Sequence, residues 1–242
     1  MIIDERGKKY IVNNEDFHSD LGIVKKEDII NSKVGDTLIT HLDKKFKVMK
    51  PNVNDYIDLM KRNCSILVLK DIGTVISHTG IGEGSKVLDS GTGAGAIALH
   101  FSNVVGKSGE VISYEIREDF AKIAKENIDN FFNGNNNVTI KNQDIKEGFD
   151  EKDLDLIFLD LPKPYEIMEN CYDSLNLGGW LVIYAPYINT VETSYKIAKK
   201  LDFNNVSIIE TLQREIEVRT QGTRPKTRMV GHTGYLLFAR KL

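Results

Sequence analysis

The chain contains little cysteine: Cys64 and Cys171 are the only two in 242 residues. That is too few for a disulfide framework and points to a reducing compartment, the cytoplasm being the simplest. No staple is needed, because a chain of this length can bury roughly 70–75% of the surface its unfolded form exposes. Long apolar runs are missing, so no membrane span is expected. The opening residues, Met1 to Arg6, lack the basic-then-apolar layout of a signal peptide. There is no internal repeat, and the asparagine run at 135–137 with its neighbours Asn133 and Gly134 is too short to count as low complexity. The five histidines show no metal-ligand spacing with cysteines or carboxylates, and no metal is expected. Positive charge is not in excess either: the net charge is −3. That argues against a nucleic-acid partner for the chain as a whole.

The distribution of charge reads differently from its sum. Between Arg214 and Lys241 there are seven basic residues against the two acids Glu215 and Glu217, a local excess of five positive charges. A basic patch on an acidic protein can still track phosphates. Its candidate contacts are Arg219, Arg224, Lys226 and Arg228. With 41% apolar and 28% charged residues, the rest is ordinary globular composition.

Residues 1–50 read as a small β-rich domain with strands at 9–12, 36–40 and 45–48, and residues 51–242 as a second, larger domain. Lys50-Pro51-Asn52 has linker composition, and Asn54 is expected to cap a helix through Tyr56, Leu59 and Met60. From Lys86 onward strands and helices alternate. Strands are expected at 86–88, 110–114, 138–140, 154–159 and 180–184, the last entered by a turn at Gly178-Gly179. Helices are expected at 94–103, 119–131, 165–175 and 191–201. Two closing β-rich stretches, 206–218 and 233–239, should pair antiparallel. The expectation is an α/β, Rossmann-like fold with an antiparallel sheet edge.

The most informative local pattern is Asp89-Ser90-Gly91-Thr92-Gly93-Ala94-Gly95, which follows a strand and opens a helix. Such glycines let a cofactor approach the backbone closely. Glu115 ends the next strand 20 positions beyond Gly95, where an acid meets ribose hydroxyls in this topology. Dinucleotide loops favour G-x-G-x-x-G, with helix N–H groups facing a pyrophosphate. Here the third glycine comes one residue early and an aspartate precedes the loop. S-adenosylmethionine carries no phosphate but has a cationic sulfonium and ammonium, so the carboxylates of Asp89, Glu115 and Asp144 suit it. Asp144 is placed to accept from its adenine amino group. After the fourth strand, Asp160-Leu161-Pro162-Lys163-Pro164-Tyr165 sets a carboxylate on a stiff, proline-rich ledge, a motif suited to methyl transfer to nitrogen.

These residues carry a resemblance. The chain resembles the tRNA (adenine-N1)-methyltransferases that act on the T-loop at position 58. The likeness covers most of the chain. It includes Phe17-His18-Ser19-Asp20-Leu21-Gly22, Lys70-Asp71-Ile72-Gly73, Ser113-Tyr114-Glu115 and the Asp160 ledge. The C-terminal block is the most specific: Arg214 to Arg219, Arg224-Pro225 and Val230-Gly231-His232-Thr233-Gly234-Tyr235-Leu236. The resemblance implies a Rossmann-like methyltransferase domain, a small N-terminal β-domain and a homotetramer. It implies S-adenosylmethionine contacts from Asp89, Gly91, Thr92, Gly93, Ala94, Gly95, Glu115, Phe120, Asp144 and Asp160. It implies catalysis at Asp160 without a metal, on a base flipped out of the tRNA core. An ionised Asp160 accepting from the exocyclic amino group would stabilise the positive charge that N1 methylation puts on the ring.

Some positions depart from the family pattern. Ser65 stands where Gln is frequent, Val68-Leu69 where Tyr or His precedes Pro, and Tyr165 and Ile216 where Trp is common. Val68 therefore removes a stacking surface for the target base. His232, beside glycines in a turn-to-strand block, reads as structural or tRNA-facing. Two other functions compete. A non-catalytic tRNA-binding partner of an active paralogue should lose the glycine loop or the Asp160 ledge, and this chain keeps both. A small-molecule methyltransferase would have no use for the basic C-terminal block.

Overall fold

A computed structural model describes all residues, 1–242. The chain divides into two compact units, Met1–Lys61 and Arg62–Leu242. The first holds strands β1 (Ile2–Asp4), β2 (Lys9–Tyr10), β3 (Phe17–Ser19), β4 (Gly22–Val24), β5 (Thr37–Ile39) and β6 (Lys45–Val48), with helices α1 (Lys26–Asn31) and α2 (Val53–Leu59). Four strands form an antiparallel sheet in the order β2-β1-β6-β5, and β3-β4 is a separate hairpin. Ile2, Val24, Leu38 and Phe46 make its core, with Tyr10 and Phe17 edge-on to Phe46.

Residues 51–61 lie with this first unit, past the boundary expected at residue 50, because α2 is tied back to it. Lys9 Nζ bonds Asp55 Oδ1 at 2.6 Å. The helix cap is Asn52, not Asn54: its side chain accepts from Asp55 N and Asp55 returns the bond to Asn52 N. This reciprocal box satisfies two N-terminal donors, which Asn54, already inside the helix, could not do.

The second unit runs α3 (Leu69–Thr79), β7 (Lys86–Ser90), α4 (Ala96–Val105), β8 (Glu110–Tyr114), α5 (Glu118–Phe132), β9 (Val138–Lys141), β10 (Leu154–Leu159), α6 (Met168–Ser174), β11 (Leu175–Ala185), α7 (Ile188–Lys200), β12 (Asn204–Ile209), β13 (Ile216–Arg219), β14 (Gly222–Pro225) and β15 (Tyr235–Arg240). Seven strands form one sheet, ordered β12-β15-β11-β10-β7-β8-β9. Five are parallel, and β15 lies antiparallel between β11 and β12. The parallel strands are buried on both faces and read as apolar runs: Leu156, Ile157, Phe158 and Leu159 are all fully buried. Each such side chain stabilises by about 1.5–3 kcal/mol. The α/β architecture and its antiparallel edge match the sequence reading.

Two details differ. The stretch 206–218 is not one strand. Its first part belongs to β12 and pairs with β15, but β13 folds back on β14 through the two-residue turn Thr220-Gln221. The break lies at residues 210–215, where Glu210 and Arg214 interrupt the apolar alternation. Gly178-Gly179 is a bulge inside β11 rather than a turn before it, since the register to β10 shifts there. A side chain at Gly179 would come within 2.8 Å of the Leu154 carbonyl.

Chain order reverses between β7 and β10, which places a crevice at their carboxyl ends, where open α/β sheets bind ligands.

Candidate active site

Strand register fixes what lines this crevice. Ser90 pairs with Tyr114 on one side and Leu159 on the other, and Leu159 pairs with Ile183. The next residues, Gly91, Glu115, Asp160 and Tyr184, therefore come together at the strand ends. Gly91 adopts φ +92°, and a Cβ there would sit 2.4 Å from the Asp160 carbonyl oxygen. No other residue fits, so the glycine loop and the Asp160 ledge are in direct contact. Gly95 has φ +89° and packs on Ala124 and Ile128 of α5, letting α4 start close to its neighbour.

The loop's backbone donors are largely consumed. Gly91 N and Thr92 N both bond the Tyr114 carbonyl, Gly95 N bonds the Thr92 carbonyl, and Gly93 N donates to Glu115 Oε2 at 2.9 Å. Such a loop offers few N–H groups to a pyrophosphate. Glu115 Oε1 accepts from Arg117 N, so each of its oxygens keeps a free lone pair.

Three carboxylates gather without a cation. Asp89 is fully buried. Its Oδ2 accepts from Ser113 Oγ at 2.5 Å, while Oδ1 has no partner. Burial pushes its pKa up to about 7, and the charges of Asp160 and Glu115 push the same way. Burial likewise raises Asp160 to about 6. No Lys, Arg or His pairs with any of the three. Desolvated acids crowded together favour the arrival of a cation.

Thr92 turns its hydroxyl inward, 2.6 Å from Ser113 Oγ, and is buried. Ala94 is buried too, its carbonyl accepting from Asn127 Nδ2. Phe120 stands in the first turn of α5 with the Arg117 guanidinium 3.6 Å over one ring face. Asp144 lies past β9 and caps a 3₁₀ turn through Lys146 N, which leaves one oxygen without a protein partner. Asp160 caps nothing: the 3₁₀ turn Pro164–Ile167 begins three residues beyond it, from Lys163.

The four basic candidates lie apart from this cluster, on and beside the β13–β14 hairpin. Glu217 takes Arg219 at 2.7 Å and Arg224 at 2.8 Å, and Glu215 takes Lys226. Arg228 alone has no acidic partner. The excess of five already subtracts Glu215 and Glu217, so it is the same in space as in sequence.

Sequence reasoning gave no site role to three contributors, although Ser113, Lys70, Asp71 and Thr233 stand in motifs it quoted. Ser113 links Thr92 to Asp89. Tyr184, next to Asp160 on the adjacent strand, donates to the Thr233 carbonyl at 2.5 Å. Burial, then Asp71 and Asp160, raise its phenol to about 12. The third is a network: Lys70 Nζ bonds buried Asp71 and Thr233 Oγ1, and Thr233 Oγ1 donates to Asp71. Polar residues ending apolar strands were the available signal for Ser113. His232 sits between two acceptors, Glu210 Oε1 at 2.7 Å and the Pro186 carbonyl at 2.9 Å, which favours the imidazolium and raises its pKa. It straps the turn before β15 to two neighbouring segments.

With this geometry in view, comparison with known proteins is decisive. Residues 48–224 match the family model described as tRNA methyltransferase complex GCD14 subunit. The chain belongs to that family. A Methanocaldococcus jannaschii protein named tRNA (adenine(57)-N(1)/adenine(58)-N(1))-methyltransferase TrmI is 39% identical, over 99% of this chain and 94% of its own. A Thermus thermophilus protein named tRNA (adenine(58)-N(1))-methyltransferase TrmI is 29% identical over 100% and 96%. Among solved structures, a Thermotoga maritima protein described as a SAM-dependent O-methyltransferase superposes with a TM-score of 0.87 at 34% identity, covering 100% of this chain and 91% of its own. The Aquifex aeolicus tRNA (m1A58) methyltransferase TrmI gives a TM-score of 0.75 at 27% identity, over 96% and 90%.

Proposed function

We propose that this chain transfers a methyl group from S-adenosylmethionine to N1 of adenine in the T-loop of tRNA, at position 58, with the preceding purine as the candidate second target. One observation carries the cofactor half: three clustered carboxylates without a cation, one with an orphaned oxygen, beside a loop in which the N–H groups of Gly91, Thr92, Gly93 and Gly95 are already bonded. That donor set fits a cationic, phosphate-free cofactor and not a pyrophosphate. Family membership and the names of the relatives carry the substrate half.

Gly91, Gly93 and Gly95 would let the cofactor lie against the backbone. Glu115, with a free lone pair on each oxygen, would hold the ribose hydroxyls, and Asp144 the adenine amino group. Thr92 and Ala94 shape the loop from behind, and Phe120 would pack at the adenine end. The donor supplies an electrophilic methyl group on a sulfonium. Asp160, dehydrated and without a protein partner, would accept from the exocyclic amino group of the target and offset the charge that grows on the ring. N1 presents a lone pair, so no proton need leave it for the bond to form.

Arg219, Arg224, Lys226 and Arg228 would meet tRNA phosphates. A homotetramer is the proposed assembly. An isolated two-stranded hairpin is marginal in water, and β13–β14 exposes Ile216 and Val218. Light scattering reads that directly, and a monomer at micromolar concentration overturns it. No helix is long and apolar enough to cross a membrane.

The T. maritima neighbour is described as acting on oxygen, which makes the acceptor atom the point to test. Mass spectrometry of tRNA nucleosides, after incubation with isotopically labelled donor, should find label in 1-methyladenosine. Label only in ribose-methylated nucleosides, or turnover on small molecules without RNA, overturns the reading.

A further inference from the structure

A cavity of about 540 Å³ opens in the second unit beside the proposed reaction site, within the size range of ligand pockets. Its lining includes Val68, Lys70, Arg228, Met229, Val230 and Thr233. Its position follows from the sheet. The proposed cofactor half lies over β7 and β8, Asp160 ends β10, Tyr184 is near the end of β11, and Thr233 leads into β15. The cavity is therefore on the side of Asp160 away from Glu115. Two strand spacings separate Asp160 from the start of β15, about 10 Å.

The wall and rim are chemically distinct. Val68, Met229 and Val230 are apolar and substantially exposed, at 40%, 43% and 62%. No aromatic side chain is among the lining residues. Lys226 and Arg228 are exposed at the rim, and Lys70 lies deeper. Lys70 is held by buried Asp71, and Lys226 by Glu215. Arg228 has no acidic partner. The floor is anchored to the reaction site, since Thr233 bonds Lys70 and Asp71 through its hydroxyl and Tyr184 through its carbonyl.

An apolar wall with a cationic rim, one step from the reacting centre, matches a nucleotide better than a free metabolite. We propose that the cavity takes the nucleotide flanking the reacting adenosine, its base on Met229 and Val230, beyond Val68 at the target-base side, and its phosphate on Arg228. A base packs there on aliphatic and thioether groups rather than on a ring. The proposal rests on the tRNA reading above.

The test combines a protein change with an RNA change. Single-turnover methylation is measured for the unaltered protein and for Met229→Ala/Val230→Ala, each on intact tRNA and on tRNA made abasic at the nucleotide before or after the target. Calorimetry with the methyl donor first confirms that the variant is folded. One abasic substitution should slow the unaltered protein by about tenfold, the scale of losing one packed base. The variant should lose a similar factor on intact tRNA and little more on that abasic tRNA. Arg228→Gln should lower the salt slope of tRNA binding by about one. Losses that multiply, or no loss at either abasic position, overturn this proposal alone. No methylation of intact tRNA by the unaltered protein overturns the tRNA reading and this proposal with it.

Discussion

The carboxylate cluster at the strand ends and the β13–β14 hairpin treat charge in opposite ways. In the cluster, Asp89, Glu115 and Asp160 are drawn out of water with no counter-ion, and two of them have raised pKa values. In the hairpin, acids and bases are matched, and all but the half-buried Glu217 are exposed: Glu217 with Arg219 and Arg224, Glu215 with Lys226. The first arrangement costs stability until a cation arrives, so it belongs to a site built for one. The second costs little, because exposed pairs are worth about 0–1 kcal/mol. It can exchange an internal partner for a phosphate at small net expense.

The largest expected effect tests the cluster. Asp160→Asn keeps shape and one acceptor but removes the charge that offsets a ring cation. Turnover should fall by about a hundred- to thousand-fold, with tRNA affinity nearly intact. The fold should not suffer, because Asp160 caps no helix and its ionised form is already disfavoured by burial. Single-turnover rates equal to wild type in a folded variant would remove Asp160 from the chemistry.

Proton linkage gives a smaller effect with a definite sign. Asp89 and Asp160 have folded pKa values of about 7 and about 6, above the ordinary 3.8. In that window the ligand-free fold binds more protons than the unfolded chain, so its stability falls as pH rises from about 4 to 7. A bound cation favours the ionised acids and lowers both values. Methyl-donor binding should therefore release protons near pH 6.5 and be about tenfold weaker at pH 6 than at pH 8. The demethylated product, lacking the sulfonium charge, should release fewer. Calorimetry in buffers of different ionisation enthalpy counts them. Affinity for the donor that is flat across this range would mean the cluster does not face the cation.

These two regions also differ in how far the sequence revealed them. The glycine loop, Glu115 and Asp160 were legible because each is a local motif at a strand end, and a parallel sheet must bring such ends together. Their partners were not. Ser113 meets Asp89 only through the register of β7 on β8. Thr233 meets Asp71 across 162 residues of chain, a pairing no local spacing encodes. Tyr184 reads in sequence as one more residue of a buried strand. In the hairpin, residue types and net charge were legible, but the pairing was not: Glu217 takes both Arg219 and Arg224, and Glu215 takes Lys226. Short strands such as β3 and β4, three residues each, carry too little alternation to be seen. The long helices α5 and α7 were found within a few residues, because their apolar faces repeat over several turns.

The smallest expected effect distinguishes a hairpin that binds RNA from one whose charges merely solvate it. Glu217 holds two arginines at once, and its side chain is only 20% exposed. Glu217→Gln removes one negative charge while keeping a neutral acceptor for the guanidiniums. If Arg219 and Arg224 meet phosphates, tRNA should bind a few-fold tighter at low salt, the scale of one exposed pair. The salt slope should steepen by up to about one, and the gain should vanish at high salt. Arg224→Gln should do the reverse, weakening binding and flattening the slope. Opposite signs from the two substitutions require that the hairpin sit in the phosphate field. Equal slopes for both variants and the unaltered protein would move the RNA surface elsewhere and leave the hairpin's ion pairs as purely internal.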